Sequence, residues 1–194
     1  MKVGRIYKID DFPWGRPDGS PESHAEIEFL EEGIFTILRS NEGNPRCTVT
    51  MTNGPVYQDS CMEFFFCPCP EQSIAYYNFE LNALGTLYVG FSPDGTRKMS
   101  SAVDPAELIG KISVHSHIDR ENCFWNVSFL IPYDFIRRRM PDFKGKKQKY
   151  ITGNFYKCGD YTENPHYAVW NHIDSNIITK PDFHVAKYFG KIEL

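Results

Sequence analysis

The sequence has no apolar run long enough to cross a bilayer. Its longest, around Phe64-Phe65-Phe66-Cys67, falls far short of the ~20 residues a spanning helix needs. No apolar leader forms near the start either, because Lys2, Arg5, Lys8 and Asp10 interrupt each hydrophobic stretch; the expected location is therefore cytoplasmic, or secreted only if a leader has been lost, with no membrane contact. Positive charge is also scarce. With 21 Lys and Arg against 25 Asp and Glu, the net charge is −4, which argues against the basic field that non-specific nucleic-acid binding requires. There is no GxSxG elbow, P-loop, GxGxxG or HExxH, so the common hydrolase, nucleotide and zinc-protease signatures are excluded. Cys67-Pro68-Cys69 is CxC, with no second pair at zinc-ligand spacing, and the six cysteines read as structural thiols of a reducing compartment.

What the sequence does have is aromatic side chains, turns and period-two alternation. Aromatics make up 15% of the 194 residues, with 15 Phe and 11 Tyr, accompanied by 13 Pro and 14 Gly; that mixture favours short strands with frequent turns. Strands are predicted over 25–30, 34–38, 46–52, 62–67, 74–81, 87–91, 112–118, 124–131, 149–158, 167–170 and 189–194. Helical patterns are short. Pro105 to Ile109, capped by Asp104, and Tyr133 to Met140 each predict about a turn or two. The chain reads as one all-β domain, 1–194 with a lead-in over 1–20: a β-sandwich of two antiparallel sheets, immunoglobulin-like or jelly-roll-like, with one or two short helices.

Several constellations have both a chemical and a structural reading. His115 and His117 share a strand face, but no third or fourth ligand is nominated, so surface histidines are expected. The basic burst Lys144 to Lys149 reads as a solvated loop. In 62–66, Met62, Phe64 and Phe66 share one face and leave Glu63 with Phe65 on the other. In 76–82 the apolar face is Tyr77, Phe79 and Leu81, and the opposite face carries Asn78, Glu80 and Asn82. Such a row offers the donors and acceptors that sugar hydroxyls need, or is an ordinary wet sheet face. Tyr57 offers an aromatic platform for a pyranose ring. Lys157 either hydrogen-bonds a hydroxyl or pairs with a carboxylate. Trp170 is either a binding or a core residue.

Val56-Tyr57-Gln58-Asp59-Ser60-Cys61-Met62-Glu63-Phe64-Phe65 resembles the D-S-x-(x)-E-x-F segment of family 9 carbohydrate-binding modules and their stand-alone relatives. Tyr77 to Gly85 looks like that family's next strand, and Trp125 with Ile131-Pro132 is similar to its W…IP strand. Asn154 to Asp160, Trp170, Pro181-Asp182-Phe183-His184 and Phe189-Gly190 resemble its C-terminal signature. The resemblance runs from about residue 20 to the end. It implies a non-catalytic β-sandwich that binds glycans between aromatic side chains, often carries structural calcium, and works alongside glycoside hydrolases in carbohydrate catabolism. By motif position, Tyr57 falls at one clamp aromatic and Phe183 or Trp170 at the other, while Glu63, Glu80 and Lys157 fall at or near polar contacts. With Asn82 from the strand face, these are the expected carbohydrate-binding residues. Tyr and Phe stand where the family's clamp has Trp.

Two alternatives come from other classes. A small glycoside hydrolase would use Glu63 and Glu80, about 5–5.5 Å apart for retention or ~6.5–9.5 Å for inversion. A cofactor or interaction domain of the related DOMON type would need His or Met ligands for haem, for which Met62 and the histidines supply the atoms.

Overall fold

Alternating strands pair into two antiparallel sheets whose apolar sides face each other. The computed structural model describes residues 5–194. The smaller sheet has the spatial order β1 (Arg5–Ile9), β2 (Ser23–Phe29), β3 (Gly33–Ser40), β9 (Phe124–Pro132), β8 (Ser113–Asp119). The larger runs β11 (Tyr167–Val169), β10 (Tyr150–Cys158), β4 (Cys61–Cys67), β5 (Tyr76–Asn82), β6 (Leu87–Ser92), β7 (Ser101–Ala102). A last strand, β12 (Gly190–Glu193), pairs with the first half of β10, and β11 pairs with the second half. Two short helices complete the chain. Helix α1 (Pro105–Leu108) starts on Asp104, whose side chain accepts from the Ala106 amide, and α2 (Tyr133–Arg137) follows Pro132.

The core lies between the sheets. Met62, Phe64, Phe66, Tyr77, Phe79 and Leu81 from the larger sheet meet Ala25, Ile27, Ile34, Leu38, Val127, Phe129 and Ile131 from the smaller. Phe79 stacks on Phe129 across the gap with ring centroids 5.8 Å apart, and each large side chain so buried contributes roughly 1.5–3 kcal/mol. Met62 is part of this interior, not a ligand to any open pocket.

Two expectations about the strands are corrected, and one strand is added to them. Residues 5–9, placed in the lead-in, form β1 on the edge of the smaller sheet; Tyr7 and Ile9 are its buried side chains, but Arg5 and Lys8 mask the alternation. Residues 1–4 of the lead-in lie outside the described residues. The two-residue strand β7 is too short to leave a periodic signal. The strand expected over 46–52 is a loop, because side chains take up its backbone groups. The Asp59 carboxylate accepts from the Thr48 and Val49 amides at 2.7 and 2.8 Å, and Asn82 and Thr86 donate to the Val49 carbonyl.

The wet sheet face is the largest correction. Glu63, Asn78, Glu80 and Asn82 are all buried. The loops before β4 and after β11 fold over the outer side of the larger sheet and build a second apolar cluster there, with Phe65, Tyr76, Tyr156, Ile173 and Phe183 among its members. The central strands β4, β5 and β10 are therefore covered on both faces.

At one end of the sandwich a charged clasp joins the sheets. Lys157 points inward from β10 and is fully buried. Its ammonium donates to the Cys158 carbonyl at 2.9 Å and to His166 Nε2 at 2.8 Å, and lies 3.4 Å from Glu42 Oε2. Glu42 also accepts from Ser60 Oγ at 2.7 Å and from Trp125 Nε1 of β9 at 3.0 Å. Burial alone would raise the Glu42 pKa, but Lys157, Ser60 and Trp125 outweigh it and hold the carboxyl below its usual range. Burial and then the Lys157 charge push His166 down to about 4, in keeping with a neutral ring that accepts from Lys157 while Nδ1 donates to the Asn164 carbonyl. Of the two readings open for Lys157, the structure shows the carboxylate pair.

Two predictions follow from this clasp. The folded state holds His166 neutral, and likewise His184, which burial and then Arg97 push down to about 4. The unfolded chain binds those protons near pH 6.5, so the two histidines should subtract stability as pH drops from about 6.5 toward 4, by up to about 3 kcal/mol each, while the raised Glu63 and Glu80 carboxyls act in the opposite direction over the same range. Urea unfolding across that range should show wild-type protein losing stability relative to the His166→Gln, His184→Gln double variant as pH falls; a constant difference between the two would remove the histidines from the acid response. Lys157→Met leaves Glu42 without its counter-charge and should cost about 3–5 kcal/mol. A loss below about 1 kcal/mol would show that the Glu42 carboxylate turns out to solvent instead.

Candidate functional site

On the outer side of the larger sheet the covering loops leave one cleft of about 390 Å³. Its floor comes from strand alternation. Glu63 and Glu80, direct partners on β4 and β5, line it with Cys158 of β10, whose direct partner Cys61 on β4 lies outside the lining. All four are buried and sit on the side opposite the core phenylalanines. One wall is the short 3-10 turn Val56–Gln58, which holds Tyr57 43% exposed at the cleft. That turn is tied to the far side of the site, where the Asp160 and Tyr161 amides donate to the Tyr57 and Gln58 carbonyls at 3.2 and 3.1 Å.

The opposite wall is the segment after β11. Phe183 lies flat on Tyr156, with centroids 4.1 Å apart and the planes 6° from parallel, and Tyr156 Oη donates to the Phe183 carbonyl at 3.2 Å. Next to it, Tyr76 Oη lies 2.7 Å from His184 Nδ1. Arg97 reaches across to Asp182 at 3.1 Å, and Asp182 also accepts from the His184 amide at 3.0 Å. The wall is thus fixed by stacking and hydrogen bonds before any ligand arrives. A second hollow of about 360 Å³ shares Tyr57, Glu80, Arg97 and His184 with the cleft, so Tyr57 and Arg97 stand between two connected depressions.

The floor carboxyls are not ordinary surface acids. Burial pushes Glu80 up to about 7, although Asn78 Nδ2 donates to it at 2.9 Å. Burial, followed by the neighbouring Cys158 and Glu80, holds Glu63 well above the usual carboxylate range. A carboxyl kept protonated both donates and accepts, which suits it to a hydroxyl. Asp160 is raised by burial, and the Tyr167 hydroxyl beside it is pushed up to about 12 by burial and then by Asp160. Arg97 and Lys180 supply the positive charge of the lining.

Of the residues expected from the sequence, Tyr57, Glu63, Glu80 and Phe183 line this cleft together. The others do not reach it. Asn82 is spent on structure: its amide nitrogen donates to Val49 O and Asp59 Oδ2, and its oxygen accepts from the Leu84 and Thr86 amides around the turn that Gly85 closes at φ +80. Lys157 faces the opposite side of the sheet, in the charged clasp. Trp170 packs against Tyr7 and Phe155, at centroid distances of 4.7 and 5.9 Å, which is its core reading. Arg97, Asp160, Tyr167 and Lys180 join the lining without having been singled out as contacts. Asp160 and Tyr167 fall in the aromatic, loop-rich C-terminal third, whereas Arg97 sits in a polar turn with no local pattern to mark it.

The resemblance also implies calcium. Among the described residues, one set of three His, Cys, Asp or Glu ligand atoms comes together, and it joins Cys61, Glu63 and Cys158. Calcium takes six to eight oxygens, so two thiols with one carboxyl do not fit it.

The comparisons with known proteins agree with this architecture. A Bacteroides uniformis protein, provisionally described as carbohydrate-binding, superposes with a TM-score of 0.83 at 27% identity, over 98% of this chain and 86% of that one. A family 9 carbohydrate binding module from Caldicellulosiruptor kristjanssonii, in complex with glucose, gives 0.62 at 10% identity over 98% and 84%. The same organism's module with cellotriose gives 0.63 at 9% over 98% and 82%. No curated protein sequence matches the chain. The family model described as carbohydrate-binding family 9 matches residues 2–194, and the chain belongs to that family.

Proposed function

We propose that the cleft between Tyr57 and Phe183 binds the end or a short stretch of a saccharide, without turning it over. The observation that carries this is the meeting of an exposed aromatic wall, a rigid stacked one and two buried carboxyls in a single cleft. Aromatic faces take the apolar side of a pyranose ring, and Glu63, Glu80, Arg97, Asp160 and Lys180 offer hydrogen bonds to its hydroxyls. The glucose and cellotriose complexes of the structurally similar modules support a neutral glycan as the first ligand to try.

The glycosidase alternative needs one carboxylate ionised and one protonated. Here burial raises both Glu63 and Glu80 toward the neutral form, which disfavours the ionised member of that pair. The companion that suits such a module is a glycoside hydrolase, whose effective substrate concentration the module would raise.

Trp14 lies 6.1 Å from Phe183 and 6.4 Å from Tyr167, ring to ring, and so gives an intrinsic reporter at the wall of the cleft. Titrating its fluorescence with glucose, cello-oligosaccharides and a wider glycan panel should give a saturable shift for one sugar class, with Kd between micromolar and millimolar (about −8 to −4 kcal/mol). A flat response from folded protein to the whole panel would refute the reading. Tyr57→Ala should weaken binding at least tenfold while leaving the unfolding midpoint unchanged, because its side chain holds nothing else in place. Trp170→Phe should leave affinity as it was; a matching loss there would move the site away from this cleft.

A further inference from the structure

Glu63 is buried with an unusual set of neighbours. Its carboxyl has two side-chain partners among the described residues, and both are thiols: Cys158 Sγ at 3.1 Å and Cys61 Sγ at 3.9 Å from Oε1. No lysine, arginine, histidine or amide answers it. Buried carboxylates are ordinarily paired with a cation, strongly hydrogen-bonded or bound to a metal, and a thiol is a weak donor. As small hydrophobes, Cys61 and Cys158 would serve equally well beside an alanine or valine, so simple packing leaves the acid unexplained.

We infer that Cys61, Cys158 and Glu63 form a binding site for a zinc-class divalent ion in the floor of the cleft. The three ligand atoms all lie within 4.8 Å of one another. A tetrahedral zinc with sulfur at about 2.3 Å and oxygen at about 2.0–2.2 Å needs ligand edges of roughly 3.5–3.8 Å, and the two sulfur–oxygen separations of 3.1 and 3.9 Å bracket that range. The backbone supplies the rigidity. Cys61 and Glu63 are alternate residues on one face of β4, and Cys158 is the direct partner of Cys61 on β10, at the paired ends of two strands that are covered on both sides. Glu63 and Cys158 line the cleft, so the fourth position opens onto it and takes a water or another oxygen ligand. Two thiolates select a borderline or soft ion over calcium or magnesium. Binding releases both thiol protons and the proton held on the Glu63 carboxyl to solvent, so affinity rises with pH.

Cobalt(II) is the probe for this site. Reduced, metal-free full-length protein titrated with cobalt(II) should gain a thiolate-to-cobalt charge-transfer band and tetrahedral ligand-field bands that saturate at one equivalent, and zinc should abolish them. Cys158→Ser should weaken binding at least tenfold and cut the charge-transfer intensity. Glu63→Gln should keep that band with affinity lowered at least tenfold. Cys67→Ser with Cys69→Ser should change nothing. The inference is overturned if folded wild-type protein shows no thiolate band, if the band survives intact in Cys158→Ser, or if it vanishes with the Cys67 and Cys69 changes. It is equally overturned if peptide mapping of freshly isolated protein, alkylated before reduction, joins Cys61 to Cys158.

Discussion

The central strands of the larger sheet are covered on both sides, and this constraint orders much of the molecule. A sheet face turned to water tolerates any polar side chain. A covered face demands a partner for each one. Strand alternation sends Phe64, Phe66, Tyr77 and Phe79 into the sandwich and places Glu63, Asn78, Glu80 and Asn82 beneath the outer loops, where each must find hydrogen bonds or give up its charge. Asn82 finds them in the loop before β4 and in its own hairpin. Glu80 takes the Asn78 amide. Glu63 is left with two thiols. The same rule acts on Lys157, which alternation turns inward and which survives there because Glu42, His166 and a carbonyl surround its three protons.

The cover itself hangs on few bonds. Asp59 accepts from two amides, a threonine hydroxyl and the Asn82 side chain, and Arg46 stands 3.4 Å away. Burial alone would raise its pKa; those hydrogen bonds hold it below the usual range. This one carboxylate ties the loop of residues 46–52 to β5, only two residues beyond Tyr57. On the far side, the stack of Phe183 on Tyr156 and the Arg97–Asp182 contact fix the second wall. The cleft is what remains between two loops that are each pinned independently to a rigid floor, a preorganised arrangement in which little ordering is left for a ligand to bring about.

Period two was legible because most strands have a pure inner face. Thus β4, β5, β9 and β10 stand where alternation puts them, and the Asp104 cap marks the first helix. The loop over 46–52 was not legible as a loop, since its β-branched residues look like a strand until Asp59 claims their amides. β1 hid behind its own charges. At the site, Tyr57, Glu63, Glu80 and Phe183 carried local signals, whereas the inward turn of Lys157 depends on which side of β10 faces the core. Register against β4 decides that, and register is a long-range fact. Arg97 belongs to the lining through a contact with Asp182, 85 residues away in sequence, and no window of sequence contains both.

Strand β4 also carries a consequence for synthesis. It is the apolar run Cys61–Cys67, and it is paired on one edge by β5, which follows at once, and on the other by β10, which begins only at Tyr150. At about 5–20 residues per second, the 82 residues between Cys67 and Tyr150 take a ribosome about 4–16 s to add. For that interval the most sticky edge of the nascent chain is bare, and the charged clasp that closes the sandwich still lacks its lysine. Yield in a cell therefore depends on what shelters this one edge during translation, as well as on how stable the finished sandwich is.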